Sequence, residues 1–186
     1  MNIAITGTTR DLGKAIFDLL SNNQDDNLYS YNHDEYDLET DILKVCDSII
    51  DNNIDLLINS AYANGYQNKL LLNIAIRYNI LNKPITIFNL NSVNAKRTVF
   101  EKQSQLNYTC DKLSLQLLSQ YICSTYPNVN IVNIVLPMCD TLYNRHHINS
   151  QKIPPERIAQ LIGDLYKYHD YHGGYSESTI TNTNNK

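Results

Sequence analysis

Two side chains that could transfer a proton lie four residues apart in the segment YTCDK. Tyr108 and Lys112 fall within residues 105–125, whose pattern predicts a helix, so both project from one helical face. An ammonium group beside a phenol favours the phenolate, which makes the tyrosine a usable proton donor and acceptor near neutral pH. The chain contains 14 tyrosines, so the pair by itself is also compatible with chance on a surface helix.

The octet TGTTRDLG, at residues 6–13, is a candidate phosphate-binding loop. It joins a predicted strand to a predicted helix, a turn that aims unpaired N–H groups and the positive end of the helix dipole at an anion. Asp11 stands where such loops usually carry their middle glycine. We expect Asp11 to be the N-cap of this helix, at the cost of a negative charge near the phosphates. An ordinary strand-turn-helix without a ligand is the alternative.

These residues lie in a chain whose short apolar runs alternate with helical patterns from end to end. The predicted strands are 2–6, 27–31, 54–59, 84–90, 130–136 and 174–180, and the predicted helices are 11–23, 42–52, 67–80, 105–125 and 154–168. This alternation predicts an α/β protein with a parallel sheet. We see no repeat or linker that divides the chain, so we expect one domain over residues 1–180 and a flexible polar tail at 181–186.

Composition excludes several classes of function. Of the 186 residues, 42% are hydrophobic and 18% charged, and no apolar run approaches the roughly 20 residues of a membrane helix. The net charge of −4, without a cluster of Lys and Arg, argues against a nucleic-acid partner. The four cysteines are widely spaced and form no ligand pattern, so we expect reduced thiols, no metal site and a cytoplasmic protein without a membrane partner.

With these motifs in order, residues 2 to about 180 resemble the short-chain dehydrogenase/reductase family. Besides the opening octet, the matching residues are Asp41-Ile42 in LETDIL, Asn59-Ser60-Ala61 after IDLLI, Ser92 after PITIFNL, Tyr108 and Lys112 in YTCDK, and Pro137 after NIVNIVL. The resemblance implies a three-layer Rossmann fold, a doubly wound parallel sheet with helices on both faces. It also implies strand order 3-2-1-4-5-6-7, a nucleotide crevice at the carboxyl ends of strands 2–6 and 84–90, and a homodimer or homotetramer assembled through helices 67–80 and 105–125.

The function that the resemblance implies is an NAD(P)-dependent oxidoreductase, which moves a hydride between nicotinamide and a small carbonyl or alcohol substrate. Its catalytic residues would be Tyr108 as proton donor and acceptor, Lys112, Ser92 and Asn73. Its cofactor-binding residues would be Gly7, Thr9, Arg10, Asp11, Leu12, Gly13, Asp41, Ile42, Asn59, Ser60, Ala61, Tyr108, Lys112 and Pro137. Simpler interpretations stay open for three of them: a turn serine at Ser92, a polar helix-face residue at Asn73 and a helix N-cap at Asp41.

Two features bear on the choice of cofactor. Arg10 stands where NADP-using members of the family often place a basic residue against the 2′-phosphate. Asp34, about twenty residues beyond Gly13, lies near the distance at which an acid would bind the ribose hydroxyl of NAD. We expect NADP to be preferred, with NAD as the alternative.

The chain departs from the family pattern mainly where a substrate would be chosen. It is shorter than typical members, Tyr62 replaces the glycine of the family's NNAG element, Met138 follows Pro137, and the threonine expected near the carboxamide is one position early, at Thr141. We expect the shortened segments 62–67 and 139–150 to select the substrate. One alternative to a reductase is a catalytically silent NAD(P)-binding protein, a sensor or interaction module. The other is an enzyme of the nucleotide-sugar type, such as a reductase or epimerase. We expect no C-terminal substrate domain, which argues against this last alternative.

Overall fold

All the helices and strands predicted from periodicity are present in the computed structural model, which describes residues 1–141, 152–168 and 174–180. In chain order they are β1 (Asn2–Thr6), α1 (Asp11–Leu20), β2 (Asn27–Tyr31), α2 (Ile42–Asp51), β3 (Leu56–Asn59), α3 (Tyr66–Ile80), β4 (Ile85–Ser92), α4 (Gln103–Thr125), β5 (Val129–Leu136), α5 (Pro155–Tyr168) and β6 (Tyr175–Thr179). A 3₁₀ turn, Val93–Lys96, follows β4. The predicted polar tail, 181–186, lies outside the described residues.

The sheet buries apolar side chains on both of its faces. Leu57 and Ile87 pack with residues of α2, α3 and α4, whereas Phe88 and Val132 pack with residues of α1 and α5. Burial on both faces explains why the strands read as nearly continuous apolar runs rather than as alternating ones. The predicted three-layer, doubly wound parallel architecture is confirmed. No helix among the described residues is long and apolar enough to cross a bilayer.

The predicted strand order is wrong. The described residues form six strands in the order β2-β1-β3-β4-β5-β6, not seven in the order 3-2-1-4-5-6-7. The missing strand is the one that would lie beyond β2. Residues 32–41, which connect β2 to α2, are mostly polar and contain no apolar run that would form an edge strand.

The strand order also shows which strands flank the crevice expected at the carboxyl ends of strands 2–6 and 84–90. From β1 the chain moves outward to β2 and then returns past β1 to β3, so the direction of winding reverses between β1 and β3. In an open α/β sheet, ligands bind at the carboxyl ends of the strands that flank such a reversal. β3 separates β1 from β4, so strands 2–6 and 84–90 are not neighbours, although residues after both contribute to the same cavity.

A row of polar side chains crosses the sheet, from the carboxyl end of β3 through the middle of β4, β5 and β6. Asn59, Asn89, Asn133 and Glu177 stand opposite one another on β3, β4, β5 and β6. Asn59 Nδ2 donates to Asn89 Oδ1 at 3.0 Å, and Asn133 Nδ2 lies 3.4 Å from a Glu177 carboxylate oxygen. Buried amides need such partners, and the pairing of Asn59 with Asn89 supplies one of them inside the sheet.

Candidate active site

A cavity of about 520 Å³ opens at the carboxyl ends of the strands. Its walls come from the segments that follow β1, β2, β3, β4 and β5, together with α4. The sequence-predicted residues that line it are Gly7, Thr9, Arg10, Asp11, Leu12, Gly13, Ser60, Ala61, Ser92, Tyr108, Lys112 and Pro137. Asp41, Ile42, Asn59 and Asn73 do not line it. A cavity of this size is in the range of small-molecule and cofactor sites.

The loop between β1 and α1 depends on two glycines. Gly7 has φ +76°, and a Cβ there would lie 3.2 Å from the Ala61 Cβ. A Cβ on Gly13 would lie 2.0 Å from the Gly7 carbonyl oxygen, a distance no side chain can adopt. The loop therefore closes tightly and brings the N-terminus of α1 to the cavity, where its N–H groups can meet an anion.

The prediction that Asp11 is the N-cap of α1 is wrong. The helix begins at Asp11 and its N-cap is Arg10, in extended conformation and without a side-chain capping bond. Asp11 instead has φ +50°, a left-handed conformation that favours glycine. Aspartate is among the few other residues that adopt this conformation with modest strain, because its short side chain can hydrogen-bond locally. The loop thus keeps the backbone that its missing glycine would have adopted.

Thr6, the last residue of β1, joins β1 to β3, its neighbour in the sheet. Thr6 Oγ1 accepts hydrogen bonds of 2.9 Å from the backbone N–H groups of both Ser60 and Ala61. The carboxyl ends of β1 and β3 are therefore held together at the point where the winding reverses. Ser60 and Ala61 then follow β3 along the wall of the cavity.

Lys112 is buried at the base of the cavity. Its side chain donates hydrogen bonds of 2.8 Å to Gln67 Oε1 and to the Leu90 carbonyl oxygen. Only 4% of Lys112 is exposed, and this burial lowers its pKa from 10.5 to about 7, although the Asp111 carboxylate opposes the shift. An ammonium has three N–H donors, so one donor is left over from these two bonds.

Gln67, which the sequence analysis did not select, connects the lysine to the sheet. It is 3% exposed, and its Nε2 donates to the Asn59 carbonyl oxygen at 2.7 Å. Asn59 in turn donates from its side chain to the Gln67 carbonyl oxygen at 3.2 Å. Asn59 therefore supports the site from below. The sequence feature that could have indicated Gln67 is its position in the first turn of the helix that follows the β3 loop.

The predicted catalytic position of Asn73 is not supported by its placement. Asn73 lies on α3 away from the cavity, and its side chain donates to the Lys69 carbonyl oxygen one turn earlier at 2.8 Å. This is the polar helix-face arrangement that the sequence left open. Gln67, six residues earlier, is the α3 side chain that reaches Lys112.

The acidic-aliphatic pair at the cavity is Asp37-Leu38, not Asp41-Ile42. Asp37 and Leu38 both line the cavity, and Leu38 is largely buried. Asp41 is the N-cap residue of α2, and Ile42 packs against the core on that helix. The sequence YDLETDIL contains both pairs four residues apart, and only the first pair reaches the cavity. Asp34 does not line the cavity either.

Ser92 and Tyr108 line the cavity, and Tyr62 lies beside Tyr108 there. Ser92 Oγ accepts a 3.2 Å hydrogen bond from the Asn94 N–H, so the serine also caps the 3₁₀ turn. The Tyr108 ring centroid lies 4.8 Å from that of Tyr62 in an edge-to-face arrangement. The Lys112 Nζ lies 5.7 Å from the Tyr108 ring centroid, so the predicted pair does face one space.

The segment after β5 completes the wall with Pro137, Met138, Cys139 and Thr141. Cys139 is buried, and burial raises its thiol pKa to about 12, so it stays protonated at neutral pH. Most of the second predicted substrate segment, residues 142–150, lies outside the described residues.

Comparison with known proteins gives matches at the level of structure. No family model and no curated protein matches the sequence. A short-chain dehydrogenase from Burkholderia cenocepacia, solved with NADP, superposes with a TM-score of 0.72 and 17% identity, over 97% of this chain and 87% of that one. An alcohol dehydrogenase from Thermococcus sibiricus with 5-hydroxy-NADP has a TM-score of 0.74 and 12% identity, over 96% and 95% of the two chains.

A third similar structure is a 3-ketoacyl-(acyl-carrier-protein) reductase from Brucella melitensis, solved with NADH. Its TM-score is 0.72 at 12% identity, over 96% of this chain and 96% of that one. Identities this low describe backbone similarity, and the similarity spans nearly the whole chain. This protein therefore has the fold of the short-chain dehydrogenases/reductases.

Proposed function

We propose that this chain is an NAD(P)-dependent oxidoreductase of the short-chain dehydrogenase/reductase type, acting on a small carbonyl or alcohol compound. The observation that carries the proposal is that a proton-transfer pair and a phosphate loop line one cavity. Tyr108 and Lys112 come from α4, whereas Gly7 and Gly13 belong to the loop after β1. The fold alone does not require the two features to coincide.

The cavity fits a dinucleotide. The tight Gly7–Gly13 approach leaves the α1 N-terminus open to a pyrophosphate. We assign the adenosine end to Asp37 and Leu38 in place of Asp41 and Ile42, and the phosphate end to the loop after β1. Three of the similar structures were solved with NADP, 5-hydroxy-NADP or NADH. We propose that Arg10 makes NADP the preferred cofactor here.

The bound nicotinamide would give or take the hydride at the substrate carbon. Tyr108 would give or take the proton at the substrate oxygen. Ser92 accepts from Asn94 with its oxygen, which leaves its hydroxyl hydrogen to donate to the same substrate oxygen. Lys112 donates two hydrogen bonds, to Gln67 and to the Leu90 carbonyl oxygen. Its third N–H would bind the ribose hydroxyls of the nicotinamide nucleotide.

The test begins with cofactor binding and then asks for turnover. The chain has no tryptophan, so NADPH fluorescence can be followed without a tryptophan background. Loss of NADPH absorbance would then be screened on a panel of ketones, aldehydes and acyl thioesters. We expect NADPH to bind and at least one class of carbonyl to be reduced. Binding without any turnover would support the silent nucleotide-binding alternative instead.

Tyr108→Phe tests the proton donor, because it removes only the hydroxyl and keeps the ring. We expect turnover to be lost while NADPH still binds. Tyr168→Phe is the matched control, since Tyr168 is 84% exposed at the end of α5 and does not line the cavity. Activity retained in Tyr108→Phe would overturn the proposed mechanism.

We also propose that the protein self-associates through α3 and α4, as a homodimer or homotetramer. Leu113, Leu117 and Tyr121 follow one another at four-residue intervals on α4 and are all exposed. Ile76 and Ile80 are likewise exposed on the neighbouring α3. An apolar stripe of this kind is typical of a surface that a partner covers.

A further inference from the structure

Tyr62 places a second aromatic ring beside the proposed proton donor. Its ring meets the Tyr108 ring edge to face, with centroids 4.8 Å apart. It comes from the loop after β3, whereas Tyr108 comes from α4, so the contact joins two walls of the cavity. Aromatic pairs in this geometry are favourable beyond the area they bury.

Tyr62 is 36% exposed, and its ring is held by its hydroxyl group and by its edge-to-face contact with Tyr108. Its hydroxyl donates a 3.0 Å hydrogen bond to Asp111 Oδ2, and Asp111 lies three residues after Tyr108 on the same helix. The loop is closed a second time where Asn68 Nδ2 donates to the Asp111 carbonyl oxygen at 3.0 Å. Between them, Gly65 turns the chain with φ +82°. The ring therefore has a defined position.

That position is at the reacting end of the cavity. Lys112 Nζ lies 5.8 Å from the Tyr62 ring centroid and 5.7 Å from the Tyr108 ring centroid, so the two rings flank the same ammonium. The phosphate loop, residues 7–13, lies against Ala61, the residue before Tyr62. Tyr62 is thus placed where bulk on a substrate beside Tyr108 would meet it.

We propose that Tyr62 is a specificity-determining residue whose ring forms a fixed wall beside Tyr108. The site then accepts carbonyl compounds that are unbranched at the carbon next to the carbonyl group and rejects those that are branched there. A tethered ring cannot move aside for a quaternary carbon, whereas a straight chain can pass along its face. This inference rests on the proposed function.

The test compares two aldehydes, butanal and 2,2-dimethylpropanal, in the complete protein with NADPH. We expect the wild type to prefer butanal in kcat/KM, and Tyr62→Ala to reduce that preference by about tenfold or more, because rejection by a pocket changes with the volume available. Tyr62→Phe keeps the ring but removes its tether to Asp111, so it should lose part of the preference and fall between the wild type and Tyr62→Ala. Tyr66→Ala is the control, because it removes a nearby tyrosine that does not line the cavity. An unchanged preference in Tyr62→Ala overturns the proposal.

A second measurement tests the wall without turnover. The same aldehydes, with cyanoborohydride, alkylate lysine amines: the amine and aldehyde lose water to form an imine, and cyanoborohydride supplies the hydride that reduces it. Mass spectrometry then compares Lys112 with the exposed Lys83 as an internal reference. We expect wild-type Lys112 to resist 2,2-dimethylpropanal more than butanal, and Tyr62→Ala to remove this difference.

The two measurements separate the wall from the reaction. If labelling discriminates between the aldehydes but no carbonyl compound is turned over, the proposed function fails and the steric wall stands without a substrate role. If turnover occurs but neither the kcat/KM ratio nor the labelling depends on Tyr62, the wall is refuted and the proposed function is untouched.

Discussion

The Lys112 ammonium donates a 2.8 Å hydrogen bond to Gln67 Oε1, which joins α4 to the first turn of α3 inside the protein. Both residues are nearly inaccessible to solvent. Because Gln67 also donates to the Asn59 carbonyl oxygen, the lysine is anchored to β3 through one side chain. The residue that positions Lys112 is therefore a glutamine on the cavity side of α3.

Gln67→Leu should destabilise the protein by about 1–3 kcal/mol, because it leaves a buried ammonium and a buried carbonyl with fewer partners. The matched change Asn73→Leu should alter stability by no more than about 0.5 kcal/mol, since Asn73 bonds only within its own helix. Urea unfolding measures both variants, and turnover should fall only in the first. Equal effects at the two positions would contradict the assignment of Gln67.

Burial of Lys112 makes stability depend on pH in a defined direction. Its pKa falls from 10.5 in the unfolded chain to about 7 in the folded protein, so between these values the unfolded chain holds the extra proton. The unfolding free energy contributed by this group is therefore lowest below pH 7 and rises with pH, by at most about 1.4 kcal/mol per pH unit.

Lys112→Met lacks this titration. Its destabilisation relative to the wild type should grow as the pH rises from about 7 to about 9. The unpaired acceptors on Gln67 and Leu90 add a cost that does not depend on pH in this range. Urea unfolding of both proteins at several pH values gives the difference, and curves that stay parallel would show that Lys112 keeps an ordinary pKa.

The negative charge of Asp11 should weaken the binding of the cofactor phosphates. Its backbone has a left-handed conformation that glycine can also adopt. Asp11→Gly and Asp11→Asn both remove the charge and tolerate φ +50°, so both should bind NADPH more tightly than the wild type. Asp11→Ala removes the charge too, but should lose about 1 kcal/mol of stability to backbone strain. Fluorescence titration and thermal unfolding measure the two effects. Unchanged affinity in both Gly and Asn variants would show that Asp11 does not face the phosphates.

Arg10→Ala should reduce NADPH affinity more than NADH affinity, because only NADPH carries the 2′-phosphate that a guanidinium can bind with paired hydrogen bonds. Parallel fluorescence titrations of wild type and variant give the ratio. Lys14→Ala, which removes a cation of the same helix that pairs with Asp18, is the control. If the wild type prefers NADH and Arg10→Ala keeps that preference, then residues after β2, and not Arg10, determine which cofactor binds.

Leu117→Glu should dissociate the proposed assembly. Leu117 is 57% exposed, and a charge there would have to be buried in any interface formed by α4. Light scattering coupled to size exclusion should give a multiple of the chain mass for the wild type and a monomer for the variant. A monomeric wild type at high concentration would contradict the assembly.

Most of the fold was predictable because its signals are local. The apolar runs and helical patterns located the elements to within three residues, since a side chain's spacing along its own strand or helix decides whether it can be buried. The number and order of strands were not predictable in the same way. Pairing joins segments distant in sequence, and the expected edge strand had no apolar run of its own.

The sequence by itself determined which candidate groups the chain carries: a Tyr–Lys pair on one helix, a glycine-turn loop after the first strand and a serine at a strand end. Only the tertiary structure decided which of several similar residues reach the cavity. Asp37-Leu38 and Asp41-Ile42 have the same pattern, but only the first pair, in the loop before α2, lines the cavity. Gln67 and Asn73 lie on the same helix, but only Gln67 reaches Lys112. A motif specifies residue types and spacing, whereas access to a site depends on how the helices pack against the sheet.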